Sequence, residues 1–562
     1  MKKLDLKYFP YPTIRPAQLE ILEKMKNNWD KYKYFVIEAP PGIGKSAIAK
    51  TICSSVNTAF LITATKQLQD QYMRDFPNSG VVSIKGRANY KCVYGDKLNC
   101  EMGPCMVNKD LLKECKLNHC CPYYSKREEA LASNTVLTSY QYFLRAMDCA
   151  GFWKPRDVLI LDECHLLEQQ VTQWASTFLS PIELHTKYNI FEGVDPQIFM
   201  VYSVAPETSG YKANEKWLHV IWKLIMEKRK ELYKEIAAAI NANGKPMPDD
   251  PNWLSEEDLE ELASTHKEYY ELDKYYRRLE IFFELSNEEK ANWIIEPQDN
   301  GIMMQPVNID NLFKYYMNEW GKEKVIFMSA TILDTAGFCN ELKLPKDKTA
   351  IIKMDPIFEP EKSPIVYYPT GNMSYQYLDS TMPKILENVK EILAMYPNEK
   401  GIIHTGNYKI AKAICEGIDN PRLIMKDEDG NNEKLLKKHS KSAEATVLVS
   451  PSLTTGADLK DNLSRFQVFV KMPFSSLADK RVQKKIEYND NWYVSEMFRT
   501  LVQACGRSTR SENDWSVTYI LDTSFYYWIA KYRKWFSKQF HKRIIWKKEE
   551  FNLDKFIKQN KK

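Results

Sequence analysis

The stretch Phe35-Val36-Ile37-Glu38-Ala39-Pro40-Pro41-Gly42-Ile43-Gly44-Lys45-Ser46 constrains this chain more than any other. A short apolar, β-branched run enters a Pro/Gly turn and leaves it as the helix-forming Ala47-Ile48-Ala49-Lys50. That order reads as strand, tight loop and helix. In such a loop successive backbone N–H groups aim at a phosphate, and the helix N-terminus adds the positive end of its dipole. The stretch follows the Walker A pattern except that Ala39 stands where the first glycine is expected. Pro41, Gly42, Ile43 and Gly44 would cradle phosphates, Lys45 would reach the β- and γ-phosphates of ATP, and the Ser46 hydroxyl would ligate Mg2+.

Further short apolar runs occur at Ala59–Thr63, Val158–Leu161, Val325–Met328, Gly401–His404, Thr446–Val449 and Phe466–Val470. Their length suits buried parallel strands, and the stretches between them suit crossover helices. With 562 residues the chain exceeds one hydrophobic core. The runs predict two α/β domains, one on each side of about residue 350. From 166 to 320 the texture turns helical, with Trp217, Ile221, Leu224 and Ile225 spaced as one helix face.

A second feature completes a phosphate-transfer site. Val158-Leu159-Ile160-Leu161 ends in Asp162-Glu163-Cys164-His165. Two carboxylates at the end of a buried strand call for a cation. Asp162 would hold Mg2+ and Glu163 would polarise the attacking water.

The net charge of +5 is too small for a global nucleic-acid footprint. Residues 531–562 carry twelve Lys/Arg against three acids, interleaved with aromatics, and form a basic C-terminal tail. The start lacks a signal-peptide apolar core, and no 18-residue apolar run occurs. A cytoplasmic protein without a membrane anchor is expected, in the host cytoplasm if the chain is viral. In that reducing setting the six cysteines between Cys92 and Cys121, of twelve in all, point to metal ligation rather than disulfides. Four thiolates suit zinc and a 4Fe–4S cluster equally, so spacing leaves the metal open.

The ordered set of DECH at 162–165, Ser329-Ala330-Thr331 and Gln503-Ala504-Cys505-Gly506-Arg507-Ser508-Thr509-Arg510 resembles the motif series of superfamily-two helicases. More narrowly, KGRANYKC at 85–92 and CPYYSKREEAL at 121–131 resemble the sequences bracketing the iron–sulfur cluster in XPD/DinG helicases. The resemblance spans nearly the whole chain, in the family's order. It implies an α/β fold of two RecA-like parallel-sheet domains, with a small cluster insertion and an α-helical, arch-like insertion in the first. The expected divisions are 1–85, 125–165 and 321–350 for the first domain, 86–124 for the cluster, 166–320 for the arch, and 351–562 for the second domain with its tail.

Activity and site residues follow from the same resemblance. It implies a monomeric, ATP-dependent DNA helicase moving 5′ to 3′ on single-stranded and forked DNA. Arg15 and Gln18 resemble the adenine-side motif, and Thr63, Thr65 and Gln69 a DNA-backbone motif. His165 resembles the coupler between hydrolysis and domain movement. Thr455-Gly456-Ala457-Asp458 resembles motif V, departing from the commoner Glu-Gly-Ile-Asp, so Gly456 and Asp458 carry over to the ATP site and Thr455 does not. Gln503, Arg507 and Arg510 resemble motif VI, whose arginines approach the γ-phosphate. Cys92 and Cys121 match the first and last cluster ligands, and a spacing found in DinG-type chains selects Cys115 over Cys120. Cys105 is taken over Cys100 because Gly103-Pro104 gives a turn able to present sulfur. Lys85, Arg87, Tyr123, Tyr124, Lys126 and Arg127 flank the cluster and are the expected DNA path, with packing around the cluster as the alternative for the two tyrosines.

Overall fold

The computed structural model describes residues 3–77, 79–95, 98–106, 109–117, 121–148, 153–191, 206–242, 256–286, 292–298, 300–356, 359–425, 432–451, 461–506 and 514–560. The first α/β unit contains β1 (Tyr34–Glu38), β2 (Ala59–Thr63), β3 (Val81–Ser83), β4 (Thr135–Ser139) and β5 (Arg156–Asp162). Three strands follow in the long insertion: β6 (Thr177–Leu179), β7 (Trp293–Gln298) and β8 (Gly301–Pro306). The chain then returns to the first unit through β9 (Gly321–Ser329) and β10 (Thr349–Lys353). The second unit holds β11 (Ile365–Gly371), β12 (Gly401–His404), β13 (Leu423–Met425), β14 (Val447–Ser450), β15 (Phe466–Phe469), β16 (Val517–Asp522) and β17 (Ile544–Ile545).

Each unit is a parallel seven-stranded sheet, ordered β10-β1-β9-β5-β2-β4-β3 in the first and β13-β14-β12-β15-β16-β11-β17 in the second. The strands are apolar on both sides because both faces are covered. Val36, Phe60 and Ile62 enter one core, while Phe35, Ile37, Ala59 and Leu61 enter the other. This two-sided burial makes the runs read as continuous rather than alternating. All seven apolar runs picked out in the sequence lie in or overlap these strands. Strand β10 pairs with β1 from Tyr34↔Thr349 to Glu38↔Lys353, so the first unit extends beyond residue 350.

The arch-like insertion departs from the all-helical expectation. Its helices Pro206–Ala242 and Glu256–Ser286 do pack together, and Leu218, Ile221, Ile225, Leu232, Ile236 and Ile240 form a buried stripe. At the base, however, β6, β8 and β7 form an antiparallel sheet. Polar residues and two prolines interrupt the apolar residues of these strands, so no apolar run announced them.

The basic tail is part of the second unit. Ile544 and Ile545 add an edge strand beside Ile365 and Val366, Phe536 stacks on Phe540 at 4.7 Å, and Phe556 meets Trp515 edge-on at 5.5 Å. Truncating the nearly buried Phe556 to Ala should therefore destabilise the second unit by about 3 kcal/mol, read by urea unfolding. An unchanged transition would mean that the last helix is only loosely attached.

Candidate nucleotide site in the cleft between the two units

Strand β1 delivers the phosphate-binding loop, and glycine makes the loop possible. Gly42 and Gly44 take left-handed backbone angles, φ 83° and 88°. A Cβ at Gly44 would also stand 2.4 Å from Nε2 of the buried Gln18. Gln18 Oε1 accepts from the Arg15 backbone N–H at 3.0 Å, and the Arg15 guanidinium donates to the Gly42 carbonyl at 2.8 Å. Arg15 and Gln18 thus brace the loop from behind. The side chain of Ile43 is buried in the core, and Pro40, Pro41, Gly42 and Gly44 of the loop line the cleft. Lys45 opens the helix Lys45–Ser55, and its ammonium donates to the Ala39 carbonyl at 3.3 Å.

Strand β5 ends at the same sheet edge, separated from β1 only by β9. Asp162 is buried there and accepts from the Tyr72 hydroxyl at 3.0 Å. Burial and the neighbouring Glu163 carboxylate push its carboxyl up to about 6, against the pull of Lys45. Glu163 sits in the left-handed region at φ 51°. From Glu163 a chain of contacts leads out of the site. The His165 Nδ1 lies 3.3 Å from the Glu163 carboxylate and 2.7 Å from the Ser329 hydroxyl at the end of β9. Ser329 Oγ accepts from the Thr331 N–H at 3.1 Å, and the Gln503 amide donates to the Thr331 hydroxyl at 3.0 Å. Gln503 belongs to the second unit, so the chain of contacts crosses the cleft.

The cleft has a volume of about 950 Å³. Lys45, Ser46, Asp162 and Glu163 line it from the first unit, and Gln503 and Gly506 from the second. Arg507, Arg510, Gly456 and Asp458 lie outside the described residues. Two contributions had no sequence motif to reveal them. Trp535 to Arg543 of the tail form one wall, and the Arg499 guanidinium donates to the His165 carbonyl at 3.4 Å.

Two family models match this chain, DEAD_2 over residues 52–184 and a helicase C-terminal domain over residues 382–543, one on each side of the cleft. A probable ATP-dependent helicase of Methanocaldococcus jannaschii is 20% identical, over 93% of each chain. The ATP-dependent DNA helicase YoaA of Haemophilus influenzae is 23% identical, over 90% of each. A solved XPD helicase superposes with a TM-score of 0.61 at 17% identity, covering 93% of this chain and 98% of its own. The S. tokodaii Xpd4 structure gives 0.54 at 15%, covering 94% and 99%. The chain has an XPD-like superfamily-two helicase fold and carries the DEAD_2 and helicase C-terminal domains. The Methanocaldococcus and Haemophilus relatives are both named as ATP-dependent helicases, the first as a probable one, and the cleft lies between the two matched domains.

In this XPD/DinG-like chain the small insertion after β3 gathers five cysteines. The thiols of Cys100 and Cys121 are 3.7 Å apart, and Cys115 interacts with both Cys105 and Cys121. A Cβ on Gly103 would lie 3.0 Å from the Cys92 sulfur and 3.8 Å from that of Cys105. Cys92, Cys105, Cys115 and Cys121 therefore converge, and Cys100 sits among them on equal terms with Cys105. Cys120 lies outside the described residues. Among the described residues no three Cys, His, Asp or Glu are set to grip a single metal ion.

Several residues expected to contact DNA are instead packing groups. Thr63 is fully buried. Gln69 is too, with its amide donating to Ser83, Ile84 and Leu137. Tyr123, Tyr124 and Arg127 are buried around the cysteines, with Arg127 4.5 Å over the Tyr124 ring. Arg87 is half-buried, clamped between the rings of Tyr123 and Tyr124 at 5.0 and 5.5 Å. Short motifs report residue type but not facing, and these side chains face inward. Thr65 is exposed, though its hydroxyl caps the helix Lys66–Asp75, while Lys85 and Lys126 are surface residues paired with Asp70 and Glu129. Among the described residues no helix is long and apolar enough to cross a membrane.

The buried Asp162 carboxyl supports a pH prediction. Its folded value is raised above 3.8, so it adds stability below that pH and loses it as pH rises through about 6. In metal-free protein Asp162→Asn should raise the melting temperature at pH 7.5, with the gain shrinking below pH 6. A pH-independent effect would place the charge of Asp162 in water.

Proposed function

We propose that this helicase translocates 5′ to 3′ on single-stranded DNA and separates forked duplexes at the cost of ATP, as a monomer in the cytoplasm. The observation that carries the motor reading is the contact chain from Glu163 through His165, Ser329 and Thr331 to Gln503. It ties the hydrolytic end of β5 to the second unit, so nucleotide state and domain position are linked. Lys45 would bind the β- and γ-phosphates, with Ser46 and Asp162 as Mg2+ ligands. Glu163 would orient water toward the γ-phosphate. Arg507 and Arg510 would approach that phosphate from the second unit, beside Gly456 and Asp458. Bound Mg2+ would neutralise the charge that develops on the phosphate oxygens. DNA as substrate is supported by the YoaA relative, an ATP-dependent DNA helicase, and by Thr65, Lys85 and Lys126 on the surface of the first unit.

The convergent thiols fit a 4Fe–4S cluster better than a hard cation. They are soft, almost wholly buried donors drawn from separate segments. Cys92, Cys115 and Cys121 would ligate it, with Cys105 as the fourth ligand. When bound, a cluster would tie these segments together. Protein purified without oxygen should carry about four irons per chain, as a cubane held by four thiolates requires. Cys105→Ser should lose them and Cys100→Ser should keep them. Stoichiometric zinc without iron would reject the cluster.

The motor itself is tested on forked duplexes bearing a single 5′ or 3′ tail. Unwinding that needs the 5′ tail, and disappears in Glu163→Gln, is the expected result. Equal activity on the 3′ tail, or on RNA in preference to DNA, would contradict it.

A further inference from the structure

The helix Lys480–Tyr488 of the second unit is basic, and while Lys480 and Lys484 are exposed, Arg481 and Lys485 turn inward. Lys485 is buried, and its ammonium sits 2.9 Å from the Glu168 carboxylate while also pairing with Glu341. The Arg481 guanidinium donates to Glu168 at 2.6 Å and to the Thr172 hydroxyl at 3.2 Å. The indole N–H of Trp492, on the next helix, donates to the other Glu168 oxygen at 2.7 Å. One carboxylate of the first unit thus receives three donors from the second.

Position makes this network more than an interface. Glu168 follows His165 by one turn, in the helix Leu167–Ala175 that continues the strand carrying Asp162 and Glu163. Glu341 ends the helix Thr335–Glu341, which follows Ser329 and Thr331. Both segments that flank the hydrolytic site are therefore held by Lys485. Arg481 reaches further. It also donates to the carbonyls of Pro306 and Val307, at 2.8 and 3.1 Å, where β8 of the insertion ends. A planar guanidinium with five donors can hold a carboxylate and two carbonyls at once, whereas an ammonium on a flexible stem cannot keep that geometry.

We propose that Arg481 and Lys485 are positioning residues that link closure of the second unit to the placement of Glu163, and that Arg481 carries the same movement to the base of the helical insertion. The physical link is the carboxylate that three donors of the second unit share. If the second unit withdraws, Glu168 exchanges three short donors for water at once, and the segment that carries it loses the contacts that fix its position. Separation and rearrangement of the segment 163–168 are then one event. Glu163 is sensitive to such a shift because its left-handed backbone must be held by its surroundings.

This inference rests on the motor reading, and the test keeps the two apart. ATP hydrolysis stimulated by single-stranded DNA, strand separation and an inter-dye distance would be measured on full-length protein. The dyes sit at exposed Glu235 in the insertion and exposed Lys409 in the second unit. Glu168→Gln and Lys485→Met should lower kcat about tenfold or more while KM for ATP moves less than about threefold, because the phosphate contacts remain. Arg481→Met should do the same and also abolish the change in dye distance produced by a non-hydrolysable ATP analogue. Arg481→Lys should restore hydrolysis, since a cation again faces Glu168, but not strand separation, since the carbonyl contacts are lost. Wild-type turnover and unwinding in folded Glu168→Gln and Arg481→Met proteins would overturn the proposal, as would full rescue of unwinding by Arg481→Lys. A wild-type protein without DNA-stimulated hydrolysis would instead refute the motor reading, leaving the dye-distance comparison to judge the link.

Discussion

Three neighbouring parallel strands ending at one sheet edge are the constraint on which the rest of this structure depends. Strand β1 brings Lys45, β5 brings Asp162 and Glu163, and β9 between them brings Ser329. Parallel pairing fixes the three ends at one level, so a cation and two carboxylates meet without any long-range adjustment. The arrangement is electrostatically tense. Burial raises Asp162, and only Lys45, Tyr72 and backbone donors oppose that rise. A site held this way is primed for a divalent cation and a polyphosphate, which would relieve the tension.

Much of this was legible in the residues. The seven apolar runs are strands because strands covered on both faces need no polar side, and the phosphate loop was readable because its glycines have a steric reason. What could not be read shares a different property. Strands β6 to β8 are partly polar, and β10 and β17 are edge strands whose identity depends on the partner beside them. Side-chain facing was the other blind spot. Gln69 and Arg127 have the right chemistry for a phosphate backbone, yet both point into the fold, where carbonyls and rings satisfy them. The Glu168 network was invisible for the same reason, since its partners lie about 310 to 325 positions away.

The helix Asp490–Cys505 shows how the two units communicate. Trp492, Arg499 and Gln503 lie on one face and touch Glu168, the His165 carbonyl and Thr331 in turn. Its other face, with Val494, Met497, Phe498 and Leu501, is anchored in the core of the second unit. A rigid element with one side bonded to each unit transmits displacement rather than absorbing it. The tail contributes to the same cleft, since Lys353 of β10 donates to the Trp535 carbonyl at 2.8 Å while pairing with Glu38.

The central claim is that one nucleotide is held by both units at once. Photocrosslinking with an ATP analogue bearing its reactive group on the γ-phosphate, followed by peptide mapping, tests it most directly. The account predicts labelled peptides from both sides of the cleft, one containing residues 159–166 and one containing residues 499–510, with both losses coupled in Lys45→Ala. Labelling confined to the first unit would contradict a shared site.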